Sequence, residues 1–262
     1  MTAGSPTTRV RHVRLATLPT AEADAVFDRL TDVVAASMTP GIPPERSWAV
    51  SEWEARRDQL IARSEVEIAS IGDVVVGFLI YEFLVLAGRP TVLLIAGCVR
   101  PDWQSQGIGF ALNFRLVLRT IARARGRGIW LVARILNPVA LHAWRKQLHD
   151  ASRVWPNLGE GPSPRPELER AAHEFVERYE PDSTFDPVTG VLKGRHPPGQ
   201  RVHRPSGSSL VDDFYEAHVD LENGDTVLMV IDGSRTVMLA HAARIVASAP
   251  RGLRRAFGRW RS

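Results

Sequence analysis

Lysine is almost absent from this chain of 262 residues: Lys146 and Lys193 are the only two, so its positive charge is arginine and stays ionised at any physiological pH. The net charge of +4 is small for this length. A nucleic-acid surface needs its charge gathered on one face, so no nucleic-acid partner is expected. Cysteine is limited to Cys98, which excludes an internal disulfide. The N-terminus lacks the charged-then-apolar run of a secretion signal, and a cytoplasmic protein is the expectation. No apolar stretch approaches the roughly 18 residues that a membrane-spanning helix needs, so stable membrane insertion is not expected and runs such as 74–80 and 91–98 read as buried strands. The histidines and the one cysteine follow no metal-ligand spacing, so no metal is expected. There is no internal repeat.

What is present is an ordinary globular composition, 44% hydrophobic and 24% charged. Residues 1–8 are small and polar, the pattern of a loose tail. Residues 10–15 alternate as a strand. Thr20 is a helix N-cap candidate for a segment that ends near Pro40, and a second helix is expected over 51–63. Residues 65–71, 74–86 and 91–99 are rich in β-branched side chains. Gly72-Asp73 and Gly88-Arg89-Pro90 lie between them as hairpin signals, which gives an antiparallel meander. A glycine-containing loop at 101–109 leads into a helix over 110–125 with Leu112, Leu116 and Ile121 on one side. Residues 129–135 alternate as a strand. Asn137-Pro138 then opens another helix, with proline at its first turn. The order of elements is mixed α/β. Beyond Trp155 the chain turns rich in proline and glycine, with one helical segment at 167–179 and a loop over 181–205.

The segment Val99-Arg-Pro101-Asp-Trp-Gln104-Ser105-Gln106-Gly107-Ile108-Gly109 joins a strand to a helix. There, successive backbone N–H groups and the positive helix end cradle a diphosphate, and glycine lets backbone approach phosphate without a Cβ in the way. This segment resembles the Q/R-x-x-G-x-G/A loop of the GNAT superfamily of acyl-CoA-dependent N-acetyltransferases, with Gln104, Gly107 and Gly109 on the motif positions. The next helix of that family typically starts Asn-x-x-Ala with an aromatic residue seven after the Asn. Asn137, Ala140 and Trp144 stand at those spacings.

The resemblance covers about residues 8–150 and implies a GNAT-like fold: a central, mostly antiparallel sheet flanked by helices. It divides the chain into an acyl-CoA-binding core at 9–150 and a C-terminal elaboration at 151–262. The latter is expected to complete the sheet, with 225–231 as one strand, and to cover the acceptor cleft. It implies acetyl-CoA as cosubstrate, held by the Val99 backbone at the pantetheine, by Gln104–Gly109 at the diphosphate and by Asn137 along the cofactor arm, and direct transfer of the acetyl group to a primary amine of a small molecule. A protein or peptide amine, or a non-catalytic acyl-CoA-binding module, is the alternative. Family members often have Tyr where Trp144 stands, and that Tyr is commonly assigned to protonate the leaving thiolate. Indole is no such acid, so solvent, His142 or His149 would supply the proton.

The acceptor must also lose a proton. Glu82, polar within an apolar strand, either turns into the acceptor cleft as the base or meets solvent or an arginine. Cys98 reads as a small buried hydrophobe beside the pantetheine residue, since direct transfer needs no nucleophile. The last twelve residues set Leu253, Phe257 and Trp260 at helical spacing among arginines, a segment for packing on its own domain, on a dimer partner or against an anionic surface.

Overall fold

The computed structural model describes residues 8–39, 42–124, 128–146, 151–159, 163–196, 205–234, 237–240 and 242–243. The tail before Thr8, His149 and the basic segment at 251–262 lie outside the described residues. Two compact units partition the chain: one holds the residues through Glu82 with Leu94–Arg119, and the other holds Phe83–Leu93 with Thr120–His241.

In the first unit, β1 (Thr8–Arg14) pairs antiparallel with β2 (Glu65–Ile71), and β2 pairs antiparallel with β3 (Val74–Leu86). β4 (Arg89–Val99) follows β3 in the strand order. Both β3 and β4 run on into the second unit. Helix α1 (Thr20–Met38) starts at the expected threonine, but Pro19 takes the N-cap position and Thr20 is the first helical residue. The expected single helix over 51–63 is two, α2 (Trp48–Ala55) and α3 (Arg57–Arg63), because Arg56 at φ −106°, ψ 6° interrupts the ladder. α2 begins three residues before the expected Ser51 because the hydroxyl of Ser47 accepts from Val50 N as an N-cap. Trp53 of α2 stacks on Phe27 of α1, with ring centroids 5.0 Å apart, and lies 5.5 Å from Phe78 of β3. The helices are thereby anchored to the sheet by buried aromatic area.

α4 (Ile108–Ala124) is fixed to the same sheet by a buried polar cluster. Glu67 is fully buried and accepts from Tyr81 Oη at 3.2 Å and from Arg119 Nε. Leaving the buried Glu67 carboxylate without its guanidinium is costly, so this cluster fixes where α4, and hence the loop at its start, sits. Burial and the two neighbouring glutamates push the Tyr81 phenol up, so it stays a donor.

In the second unit the strand order is β4, β5 (Ile129–Ile135), β9 (Thr226–Gly233), β8 (Val191–Lys193), β7 (Thr184–Asp186), with β6 (Val154–Trp155) also on β9. The pairings of β5, β6 and β8 with β9, and of β7 with β8, are antiparallel. β9, buried along its whole length, is the strand expected from 225–231. β7 and β8 form a short hairpin inside the stretch read as loop. Helix α5 (Pro138–Lys146) follows β5 and contacts α7 (Ser209–His218), while α6 (Pro166–Tyr179) packs on β9. No helix among the described residues is long and apolar enough to cross a membrane.

Candidate functional site

The strand-to-helix loop of the first unit begins where β4 ends. Arg100 N donates to Val76 O at 2.9 Å, so β3 holds the root of the loop. Pro101–Trp103 forms one 3-10 turn, closed by Gln104 N on Pro101 O at 3.2 Å. Two side-chain amides then fold back: Gln104 Nε2 donates to Val99 O at 3.0 Å and Gln106 Nε2 to Asp102 O at 3.2 Å. Gln104 thus braces the loop with its side chain and engages the carbonyl of Val99, the residue expected to meet the pantetheine.

Ser105 (φ +62°) and Gly107 (φ +81°) are left-handed on either side of Gln106, the alternation that turns successive N–H groups to one side as an anion nest. Among the described residues, the N–H groups of Ser105, Gln106 and Gly107 find no acceptor, although Gly107 is buried. The next three, on Ile108, Gly109 and Phe110, belong to the first turn of α4 and have no partner in their own helix. Gly109 is informative in another way. Its φ is ordinary and a Cβ there would meet no atom within 4 Å, so nothing in the chain itself demands glycine. A ligand lying against the backbone would. These orphaned donors and the bare backbone at 109 fit the diphosphate of coenzyme A.

Beneath the loop, Gly77 of β3 leaves no room for a side chain. A Cβ would stand 2.9 Å from Cys98 O, 3.2 Å from Val99 Cγ2 and 3.3 Å from Ile108 Cγ2. Sequence reading passed over this residue, although a lone glycine inside an apolar strand marks close backbone approach. Cys98 is buried, and burial pushes its thiol up to about 12, which makes it a packing residue rather than a nucleophile.

Glu82 lies near the unit's end of β3 and is buried. It makes no hydrogen bond among the described residues. Burial is the largest influence on its carboxyl and raises its pKa above the ordinary value, while the charges of Arg63 and then Arg56 work against the rise. A buried carboxylate with raised proton affinity is suited to accept a proton.

The second sequence segment belongs to the other unit. Asn137 caps α5, its Oδ1 accepting from Val139 N at 2.8 Å and its carbonyl from Ala140 N and Leu141 N. Ala140 is exposed and Trp144 half-buried on the same helix. Sequence reading also passed over Tyr215 of α7, which is buried and donates its hydroxyl to Ile135 O at 3.1 Å, where β5 ends. Burial raises its pKa. Nothing local in the sequence links positions eighty residues apart. Among the described residues no three His, Cys, Asp or Glu side chains gather as a metal site.

No protein-family model and no curated protein matches the chain. The solved structures it resembles include the ribosomal-protein-S18-alanine N-acetyltransferase from Escherichia coli, at 14% identity over 87% of this chain and 95% of that one, TM-score 0.44. An aminoglycoside acetyltransferase from an uncultured soil metagenomic sample is similar at 18% identity over 53% of this chain and 86% of that one, TM-score 0.36. A GNAT-family N-acetyltransferase from Escherichia coli in complex with CoA is similar at 14% identity, covering 55% of this chain and 70% of that one, TM-score 0.39. At these identities and scores the likenesses assign no activity by themselves.

Proposed function

We propose that this chain is a GNAT-type N-acyltransferase that binds acetyl-CoA on the loop from Val99 to Gly109 and moves the acetyl group directly to a primary amine of a small molecule. The observation that carries the reading is the run of N–H groups from Ser105 to Phe110, without acceptors in the loop among the described residues and without helical partners in the first turn, at the start of α4. Acetyl-CoA supplies an activated thioester. The chain's own residues supply the rest: the loop N–H groups hold the diphosphate, and Glu82 takes the proton from the acceptor ammonium.

That last step matters because an alkylammonium with pKa near 10.4 costs about 4–5 kcal/mol to deprotonate at pH 7. A thiol pKa near 8.5 makes unassisted thiolate release cost only about 2 kcal/mol, so solvent suffices to protonate it. Burial of Glu82 favours a slender amine, which can reach a recessed carboxylate, over an amine on a broad protein surface. Trp144 favours a second reading, an acyl-CoA-binding module without turnover. Release of free thiol from acetyl-CoA across a library of primary amines separates the two: turnover supports the transferase, and saturable binding with no turnover on any amine supports the module.

A further inference from the structure

Asp232, the penultimate residue of β9, is 3% exposed and is met by three arginines from distant parts of the second unit. Arg89 Nη1 lies 3.3 Å from its Oδ1, while Arg153 Nη1 and Arg165 Nη1 each lie 3.0 Å from its Oδ2. Arg89 and Arg165 meet no other carboxylate among the described residues, so these two alone outnumber the single negative charge. Their side chains remain 39% and 43% exposed, leaving N–H groups that Asp232 does not use open to solvent.

Arg89 is also confined. The Arg89 guanidinium lies over the Trp130 ring, 4.0 Å from its centroid, and a Cβ added at Gly128 would stand 3.3 Å from Arg89 Cζ, so ring and glycine backbone confine it. Trp130 is the cross-strand partner of Asp232, and its buried Nε1–H has no acceptor among the described residues. Arg165 is the N-cap residue of α6 and donates its own N–H to Ser152 O at 3.3 Å. A surplus of planar donors around one carboxylate is the arrangement that binds a tetrahedral dianion by paired N–H contacts.

We infer that Arg89, Arg153 and Arg165 form a binding site for a phosphate group, either free phosphate or the phosphomonoester of a small metabolite, with Asp232 holding the three guanidiniums in place. The site stands at the start of β5, whereas Asn137 follows the other end of that strand, about 20 Å away at strand rise. It is therefore separate from the cofactor-arm residues and does not depend on the acyltransferase reading.

Calorimetric titration of the full chain with inorganic phosphate, and in parallel with glucose 6-phosphate, tests the site. One saturable site is expected, and tighter binding of the sugar phosphate identifies a metabolite as the source, equal binding free phosphate. The double variant Arg89→Gln/Arg165→Gln loses at least about tenfold in affinity, as expected for two charge-assisted contacts. Gly109→Glu, in the loop of the first unit, leaves the phosphate affinity unchanged. Asp232→Asn is the decisive variant because it removes competing negative charge: it binds phosphate more tightly than wild type, and phosphate restores its lowered melting temperature. No saturable binding to the wild type, loss of binding in Gly109→Glu, or an Asp232→Asn variant that phosphate neither binds more tightly nor rescues would overturn the inference and leave the arginines as internal partners of Asp232.

Discussion

Glu82→Gln keeps the shape of the side chain and removes its ability to accept a proton. The acceptor then meets the full cost of deprotonation, about 4–5 kcal/mol at pH 7 for an alkylamine. A positioned acid–base group contributes about 10²–10⁴-fold, which is about 2.7–5.5 kcal/mol at 1.36 kcal/mol per tenfold. The two ranges overlap, so most of the penalty is expected to appear as lost kcat, with acetyl-CoA affinity hardly changed. The sign with pH follows from the site. Burial raises the Glu82 pKa above its ordinary 4.5 and Arg63 and Arg56 hold the rise in check. Wild-type kcat/KM climbs as pH passes upward through that raised pKa, because only the carboxylate is a base.

In Glu82→Gln that acidic limb disappears, and the deficit shrinks at high pH as the amine deprotonates unaided. Arg63→Ala removes the stronger of the two restraining charges and shifts the limb to higher pH. Stability carries the same signature with its own sign: a carboxyl with raised folded-state pKa favours the fold below its unfolded pKa and loses that contribution as pH rises through the folded value. Glu82→Gln is therefore at least as stable as wild type at pH 7. Steady-state rates over a pH series, with melting curves for each variant, read all of this. A pH-independent loss below about tenfold, or a limb that Arg63→Ala leaves in place, refutes the assignment of Glu82 as base.

Three further outcomes are expected. Trp144→Tyr restores a phenolic donor on α5, leaves acetyl-CoA affinity unchanged and gives turnover equal to or modestly above wild type; severe loss with the fold retained would give Trp144 a role of its own. Gly77→Ala drives a Cβ to 2.9 Å from the backbone oxygen of Cys98, an atom that cannot swing aside. It costs about 1–3 kcal/mol in urea unfolding and weakens acetyl-CoA binding by shifting the loop root; unchanged stability would show that β3 relaxes there. Tyr215→Phe leaves Ile135 O without its donor and costs about 1–2 kcal/mol, read by the same unfolding assay.

Much of the scaffold was legible because its elements are long and periodic. β2, β3 and β5 fall on the expected bounds, since β-branched runs bounded by glycine or by Asn137-Pro138 leave little choice of end. The break at Arg56 was not legible: both halves of 51–63 have helical spacing, and the residue that interrupts them carries no proline or glycine. β7 and β8, three residues each, are too short to show a period of two, and proline-rich surroundings made them read as loop. α7 went unread within a polar stretch, and with it Tyr215.

At the candidate site the sequence showed the loop, because glycine spacing is local. It left Glu82 between a cleft and a surface, because its burial and the nearby charges of Arg63 and Arg56 depend on residues distant in the chain. The arginine cluster on Asp232 joins residues 67 to 143 positions apart and has no local signal at all.

The measurement closest to the central claim is calorimetric titration of the full chain with acetyl-CoA, wild type against Gly109→Glu. The position suits the test because its φ is ordinary and space is open around it. A glutamate in the first turn of α4 even gains from the helix dipole, so the variant folds and melts like wild type. The account predicts one saturable site in the wild type and none in the variant, where a carboxylate meets the diphosphate. Equal affinity in the two proteins, with both folded, would contradict it.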